Sequence, residues 1–552
     1  MELIDQKTKR IMEGCKERAY EAGLRFGDET LEYIVTNRDL IELTPKYMIP
    51  TLYDYWVHDV ECLKEKGRYE LYPNNPYETV INTRPAISFY NDNNPDWMNV
   101  MIFYHVLGHI DFFRCNQYFR NTWDFDFTGQ ALSDKRTIAK LRSEKGRWVD
   151  YVIEFSRAID NLVGYHSELS RIDNSGNGDV SPITALDYYF DIFLQSVKKT
   201  PVTEYIKEVE RYNSCVRQDS AIAEQVFFSE VHKKYPEFSS LYEKSNSSRN
   251  ESNLDIMQYV LRHSENLNRG KNRWMKSIIE LVRKTSLFFQ PQIRTKIMNE
   301  GWASYWHEKL FLSDDRILGH EVDFARLHAA IASMPRVGLN PYALGIRVFQ
   351  YIEELADKGK LSQEYSRVSS IRERERYDKA EGKGSEKIFD VRSNLCDFLF
   401  IDTFVDQEFV TKHDLFVAGK RMNPHKMVYE YYVKSRNADD YRKMLQDSLY
   451  HPPFITVNPE RNAGNILYLE HHFEGKPLVT EFISNVMLGL EFLWGGPVQL
   501  ETSEVERGGD TRMGPPNGRI SRKGEDGNSK ELNWQRVLYT MKDKTLSRKI
   551  LS

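Results

Sequence analysis

Apolar residues recur every three to four positions along most of the first two-thirds of the chain, which is the spacing of one face of an α-helix. This spacing predicts helices over residues 7–24, 97–120, 137–169, 203–235, 254–288, 294–312, 321–333 and 341–358. Residues 79–90, TVINTRPAISFY, are β-branched and aromatic around a proline, and they predict one or two short strands. The first two-thirds are therefore expected to be helical with a small strand insertion.

The pattern changes after the densely charged segment 356–386, which we interpret as a helix end and a connector. Short strand candidates follow, namely IFDVRS, FITVNP, NILYLEHHF, PLVTEF and PVQLET, and a helix is predicted over 482–494. The predicted fold class is mainly α, with a large helical N-terminal domain (1–379) and a smaller α+β C-terminal domain (380–505). Residues 506–552 are predicted to be a flexible tail, in which 533–544 suggests a last strand or helix.

Length and composition limit the class of protein. A chain of 552 residues is too long for one compact core, and a net charge of -5 argues against a broad basic surface for nucleic acid. There is no run of 18 apolar residues and no signal-peptide pattern at the N-terminus, so no membrane span is expected. The five cysteines are scattered, which is typical of reduced thiols. These features predict a cytoplasmic protein that binds no nucleic acid.

The stretch FYHVLGHIDFF, 103–113, places His105 and His109 four residues apart in an apolar run. Such residues lie about 40° apart around a helix, so they share a face. At this spacing one helix can offer two imidazoles to one metal ion. The alternative is a pair of core histidines whose ring nitrogens are satisfied by neighbours.

The stretch TKIMNEGWASYWHEKL, 295–310, predicts a second helix on which Glu300 and His307 share a face. Two imidazoles and a carboxylate from a second helix are the usual ligands of a three-ligand zinc site, whose ion acidifies a water and polarises a carbonyl. We therefore predict a zinc-type site with His105, His109 and Glu300 as ligands and His307 as a further candidate. Alternatively, Glu300 caps its helix and His307 is a core or surface residue.

A third stretch, 148–169, carries Glu154, Asp160 and Asn161 in an otherwise apolar pattern and predicts a polar stripe on a buried helix. A buried carboxylate costs several kcal/mol unless it is paired or bound to a metal. Glu154 is thus a candidate for a fourth ligand or for a partner that orients an imidazole. A salt bridge to Arg157 is the equally favoured alternative.

Three further side chains are candidates for contact with a substrate or with the ligands. His328 lies on an Ala-rich helix, where a core histidine is the alternative. Tyr342 follows the predicted helix start at Asn340, and its ring is expected to face the cleft. Arg294 is a candidate for binding a substrate carboxylate, although pairing with local acids is favoured.

Several long stretches resemble the stage V sporulation protein R (SpoVR) family. They are ETVINTRP, HVLGHIDFF, FFQPQIRTKIMNEGWASYWH, LNPYALGIRVFQYIEE, GSEKIFDVR, FLFIDTFVDQEFV, FEGKPLVTEF and LEFLWGGPVQLET. The resemblance implies a helical N-terminal region, a smaller C-terminal domain and a link to sporulation and spore cortex formation. Relatives in bacteria without spores imply a serine protein kinase and a von Willebrand A-type protein as partners. Cys115 and Gln117 depart from the family pattern, and residues 170–240 match it weakly.

EGWA also resembles the third-ligand motif of some zinc peptidases, but Val106 stands where HExxH has its glutamate. A hydrolase would need its general base elsewhere, from Glu154, Asp111 or Glu308. Asp111 lies about 240° around the helix from His105, which favours a structural role for it. The predicted function is metal-dependent hydrolysis of an amide bond in a peptide or cell-wall precursor, in sporulation or stationary-phase and stress physiology. The alternative is a non-catalytic scaffold that binds the kinase and the von Willebrand A-type protein.

Overall fold

A computed structural model gives the architecture of the chain. The structure describes residues 2–27, 30–36, 78–81, 85–120, 122, 127–164, 185–198, 200–218, 223–242, 254–315, 318–423, 428–462, 464–505 and 533–551. The end of the predicted helix 137–169 and the first part of the predicted tail, residues 506–532, lie outside these ranges.

Helices make up most of the described residues, so the predicted mainly α fold is confirmed. The longer helices, labelled in chain order, are α1 (Gln6–Glu21), α2 (Asp96–Cys115), α3 (Phe127–Lys145), α4 (Trp148–Arg157), α5 (Val202–Gln218), α6 (Ala223–Lys234), α7 (Ile256–His263), α8 (Trp274–Arg294), α9 (Lys296–Leu312), α10 (Glu321–Ile331), α11 (Pro341–Asp357), α12 (Gly384–Asn394), α13 (Asp397–Phe404), α14 (Gln407–Lys412), α15 (Ala438–Ser448) and α16 (Thr480–Trp494). Shorter helical segments are Gln117–Phe119, Asp160–Leu162, Ala185–Asp187, Tyr188–Val197, Glu265–Asn268, Gly270–Asn272, Gln363–Ser366, Ile371–Arg376 and Pro459–Arg461.

The strands of the described residues form three sheets. They are β1 (Glu2–Leu3), β2 (Thr30–Val35), β3 (Glu78–Ile81), β4 (Ala86–Asn91), β5 (Val417–Asn423), β6 (Val428–Ser435), β7 (Phe454–Val457), β8 (Leu467–His472), β9 (Val498–Val505), β10 (Trp534–Lys542) and β11 (Thr545–Ile550). One sheet has the order β1-β2-β4-β3, one has the order β11-β10-β9-β8-β7, and β5 and β6 form a two-stranded ribbon. The pairs β2/β4 and β8/β9 are parallel and the other pairs are antiparallel.

The chain forms two compact units that alternate along the sequence. The first consists of residues 1–147 and 284–451, and the second of residues 148–283 and 452–552. The predicted domain boundaries at 379/380 and 505/506 do not coincide with the ends of these units, and they remain predictions. The predicted tail ends in the β10–β11 hairpin, which confirms the strand alternative at 533–544.

The first unit is built around α2, which is buried over its whole middle portion, as expected of a helix that is apolar on every side. Helix α9 packs against both α2 and α11. Contacts pair Tyr104 of α2 with Asp314 just after α9, and His109 of α2 with Asn299, so the two helices run antiparallel. The predicted helix pair is therefore present, and its two helices are neighbours.

Glycines allow these helices to approach closely. A Cβ on Gly108 would lie 2.8 Å from the Cα of Ala303, and a Cβ on Gly301 would lie 2.4 Å from the Cα of Gly345. Real Cβ atoms essentially never lie this close to another heavy atom. The helix backbones can therefore approach to these distances only because Gly108 and Gly301 have no side chain. The close approach of α2 and α9 places Glu300 beside the histidines of α2.

The second unit contains the five-stranded sheet and α16, which packs against β9 and β10. A separate aromatic core joins the segment Tyr188–Val197 to α6, with Tyr189, Phe193 and Phe227 fully buried. The unit therefore combines helices and an α+β part, and the predicted helix at 482–494 is confirmed as α16.

Several predicted elements are wrong. IFDVRS lies in helix α12, and the end of PLVTEF begins α16, so neither is a strand. The predicted helix 137–169 is interrupted after Lys145 and ends at Arg157, and the strands β2, β5, β6 and β11 were not predicted. FITVNP, NILYLEHHF and PVQLET do contain β7, β8 and β9.

Candidate metal centre

Three side chains on α2 and α9 meet in the first unit. His105 and His109 come from the middle of α2 and Glu300 from the second turn of α9, and one possible ligand atom of each lies within 4.8 Å of the other two. Asp397 fixes the start of α9, because its carboxylate accepts hydrogen bonds from the backbone N–H groups of Ile297 and Met298 at 2.8 and 2.9 Å. The turn that carries Glu300 is thereby held in place.

The distances match those between the ligands of a tetrahedral ion. Oε2 of Glu300 lies 3.8 Å from Nε2 of His105 and 3.6 Å from Nε2 of His109. Ligand bonds of 2.0–2.2 Å at a tetrahedral angle give a ligand-to-ligand separation of roughly 3.4 Å. Among the described residues, this is the group of three or more His, Cys, Asp or Glu side chains that converges in this way.

A neighbour on α9 orients the His109 ring. Its Nδ1 lies 2.9 Å from Oδ1 of Asn299, an oxygen that can only accept a hydrogen bond. The proton of the neutral ring is therefore on Nδ1, and Nε2 presents its lone pair to Glu300. Histidines that bind metals commonly have such a partner on the other ring nitrogen.

His307 lies behind His105. The two Nδ1 atoms are 2.9 Å apart, while Nε2 of His307 lies 3.0 Å from Nδ1 of His328. His307 is fully buried and uses both nitrogens in these contacts, so it is a neighbour of the predicted ligand His105. Its predicted role as a ligand itself remains a prediction.

Burial keeps the rings of His109 and His307 neutral. Desolvation, with the neighbouring His105 ring, lowers the pKa of His109 to about 4, and desolvation lowers the pKa of His307 well below its usual value. Desolvation would raise the pKa of Glu300, but the neighbouring His105, His109 and Tyr342 side chains outweigh it, and the net pKa is lowered. At neutral pH His109 is thus a neutral ring and Glu300 a carboxylate, the protonation states in which these groups bind metals.

Tyr342 lies beside the cluster, and Glu308 lies farther from it. The Tyr342 ring stacks on His105 with centroids 6.0 Å apart, as expected of a residue that faces the site. Asn340 caps its helix, accepting from the backbone N–H of Tyr342. Oε2 of Glu308 accepts a hydrogen bond from Nε2 of Gln350 at 3.1 Å, and its Oε1 lies 3.6 Å from Nε2 of His328. The rings of His328 and His307 therefore separate Glu308 from His105. The predicted role of Glu308 as a general base remains a prediction.

Asp111 has structural contacts. Its fully buried carboxylate accepts from the backbone N–H of Arg25 at 2.7 Å and from Nε1 of Trp302 at 2.8 Å, and it lies 3.3 Å from Nη1 of Arg392. Burial raises its pKa despite the opposing charge of Arg392. These contacts support the structural interpretation.

Glu154, Asp160 and Asn161 do not lie on one helix face, as the predicted polar stripe requires. Helix α4 ends at Arg157, and Asp160 and Asn161 lie in a separate short helical turn, so they do not continue the face that carries Glu154. Burial raises the pKa of Asp160 to about 6, against the charge of Arg157. These residues belong to the second unit, and their predicted roles at the site remain predictions. Arg294 is buried at the end of α8, and its substrate role likewise remains a prediction.

Sequence reasoning missed Asn299 and Asp397. Asn299 precedes the predicted ligand Glu300 directly, and an amide at that position of a buried helix is the signal that was available. Asp397 comes from α13, 99 residues away from the nitrogen of Met298 that it binds, and no local pattern indicates that contact.

The fold and the site together define a class: mainly α proteins in which two buried antiparallel helices bring two histidines and a glutamate together. The profile of the family described as SpoVR like protein matches residues 3–451, and the chain belongs to this family. The resemblance inferred from the sequence is thus confirmed.

A relative from Escherichia coli (strain K12), described as Uncharacterized protein YcgB, is 23% identical over 339 residues. That match covers 58% of this chain and 59% of the relative, so it spans about three fifths of the length of either protein. No solved structure matches the chain. Among the described residues, no helix is long and apolar enough to cross a membrane.

Proposed function

We propose that the first unit binds one divalent metal ion, of the zinc type, through Nε2 of His105, Nε2 of His109 and the carboxylate of Glu300. The observation that carries this proposal is the convergence of the three atoms at separations of 3.6 and 3.8 Å, in a buried setting. The two imidazoles and one carboxylate form a ligand set that suits zinc and leaves a position open.

The residues fit the ion in a second respect. Oε2 of Glu300 is buried, yet no hydrogen bond reaches it from the described residues. A buried carboxylate oxygen without a donor is costly, and a cation at this point would compensate that cost. The lone pair of His109 Nε2 also faces this oxygen, and a bound cation would relieve the repulsion between them.

We further propose that the reaction is hydrolysis of an amide bond in a peptide or cell-wall precursor, linked to sporulation or stress physiology. The ion would act as a Lewis acid on the carbonyl group. Tyr342 lies against His105, where its hydroxyl can orient a substrate.

Metal analysis of the purified protein tests the site. Wild-type protein is expected to retain about one zinc per chain, whereas His105→Ala and Glu300→Gln lose it. His320→Ala, a partly exposed histidine of the same unit that stacks on Trp97, is the matched control and keeps the metal. A wild-type protein that neither retains nor takes up zinc after reconstitution contradicts the proposal.

The hydrolase proposal has its own test. Zinc-loaded wild-type protein and Glu300→Gln are incubated with a library of peptides and with cell-wall peptide fragments, and new amines are quantified. Wild-type protein should release amines and the variant should not. Zinc binding without any release of amines would support the metal centre and contradict the proposed hydrolysis.

One observation favours a second candidate, a scaffold that binds a serine protein kinase and a von Willebrand A-type protein. The position of the HExxH glutamate holds Val106, which is buried and carries no titratable group. In a pull-down with the two partners, the scaffold function predicts capture by wild-type protein that persists in folded Glu300→Gln. Absence of capture by wild-type protein contradicts it.

A further inference from the structure

Behind the ligand His105, three more side chains form a line that leads towards solvent. Nδ1 of His105 is 2.9 Å from Nδ1 of His307, and Nε2 of His307 is 3.0 Å from Nδ1 of His328. Nε2 of His328 lies 3.6 Å from Oε1 of Glu308. Exposure increases along the line, from 1% for His307 to 16% and 31% for the side chains of His328 and Glu308.

Each link of this line has a direction. A neutral imidazole has one N–H and one bare nitrogen, so one ring of every hydrogen-bonded pair must donate and the other must accept. The proton position on one ring therefore determines the proton position on the next.

In the metal-free protein Glu308 and Glu300 favour opposite directions, because a carboxylate has only lone pairs and favours a proton on the ring nitrogen that faces it. Glu308 favours the form of His328 that carries the proton on Nε2. Nδ1 of His328 is then bare and accepts from Nε2 of His307. Nδ1 of His307 is bare in turn and accepts from Nδ1 of His105.

We propose that Glu308 is a positioning residue that acts through His328 and His307 to hold His105 in the form with its proton on Nδ1 and its lone pair on Nε2. That lone pair is the one directed at Glu300, so the line prepares His105 to bind the ion. This inference rests on the proposed metal centre and assigns to Glu308 a role other than that of a general base. His109 needs no such line, because Asn299 fixes its proton directly.

Three variants of the full-length protein test the proposal. Glu308→Ala removes the acceptor, while Glu308→Gln retains an oxygen that can accept from His328. Glu353→Ala is the matched control, since Glu353 is a partly exposed carboxylate on α11 that also contacts α9, through Lys309, but has no described contact with the line. Glu308 lies near the surface, so its removal is compatible with folding.

Zinc affinity and the proton position are both measured. Loss of a residue that orients a ligand typically weakens metal binding by 10–100-fold, so Glu308→Ala is expected to bind zinc about tenfold more weakly, with Glu308→Gln and Glu353→Ala close to wild type. Long-range ¹H–¹⁵N correlation spectra of metal-free, ¹⁵N-histidine-labelled protein, assigned with His105→Gln, report which ring nitrogen of His105 is protonated. The Nδ1–H share should be smaller in Glu308→Ala than in the other three proteins.

The outcomes separate this proposal from the metal centre. If wild-type protein binds zinc and Glu308→Ala shows either unchanged affinity or an unchanged proton position, the role of Glu308 is overturned and the metal centre stands. If wild-type protein binds no zinc, the metal-centre proposal is wrong. The spectra of metal-free protein then decide alone whether Glu308 controls the proton position of His105.

Discussion

At the scale of single residues, Asp111 and His109 lie on the same helix but differ in role: Asp111 has structural contacts, and His109 belongs to the candidate metal centre. Asp111→Ala is expected to destabilise the protein by about 3–5 kcal/mol, because it leaves the Arg392 guanidinium buried without its carboxylate. Asp390→Ala, which removes an exposed partner of Lys387, should cost less than about 1 kcal/mol. Urea denaturation of both variants measures the difference, and similar losses would contradict the structural role of Asp111.

The neutral His109 ring should give stability a pH dependence. Its pKa is about 4 in the folded protein and about 6.5 in an unfolded chain. The folded state therefore binds fewer protons than the unfolded state between these values. The free energy of unfolding should fall as the pH decreases from 6.5 towards 4, by up to roughly 3 kcal/mol. Denaturation of metal-free wild-type protein and His109→Gln over this range checks it. Parallel curves for the two proteins would refute the assignment.

The sequence predicts some residues of the candidate site and not others, because periodicity reports only the helix face on which a side chain lies. A spacing of four places His105 and His109 on one face of a helix, and the EGWA motif identifies Glu300. Periodicity gives the direction of a side chain but not its depth, so it cannot distinguish His307, which lies behind His105, from the side chains that face Glu300. Asn299 and Asp397 act through contacts that no spacing along one helix encodes.

At the scale of elements, glycine spacing determines how closely α9 approaches its neighbours. Gly301→Ala is expected to cost about 1–3 kcal/mol or more, because the new Cβ would overlap the backbone of Gly345. Gly27→Ala has open space around the new methyl group and is the control. Thermal and urea unfolding of the two variants compares them. Equal stability would show that α9 and α11 can separate without cost.

Secondary structure was predictable where the pattern extends over several turns and failed where it is short. Helices α2, α9 and α11 have long apolar patterns and were predicted nearly to their ends. IFDVRS is a short apolar run that is equally compatible with a strand and with one side of α12. The ribbon of β5 and β6 exposes residues on both faces, so it lacks the alternation of a strand with one buried face.

At the scale of the whole molecule, a metal ion bound in the first unit should protect that unit selectively. Hydrogen exchange monitored by mass spectrometry is expected to slow in peptides from α2, α9 and α11 when zinc is added, because a ligand stabilises the state that binds it. Peptides from the sheet of β7 to β11 belong to the other unit and serve as the internal control. Equal protection of both units, or none, would contradict binding at this site.

The alternation of the two units along the chain has a consequence for biosynthesis. The histidines of α2 leave the ribosome long before Glu300, since 190 positions of the sequence separate His109 from Asn299. A nascent chain that has exposed only α2 offers two imidazoles and no carboxylate. At the proposed metal centre, zinc would therefore be captured with full affinity only after the inserted segment 148–283 and the first turns of α9 have been translated, and metal loading would be a late event in the maturation of the protein.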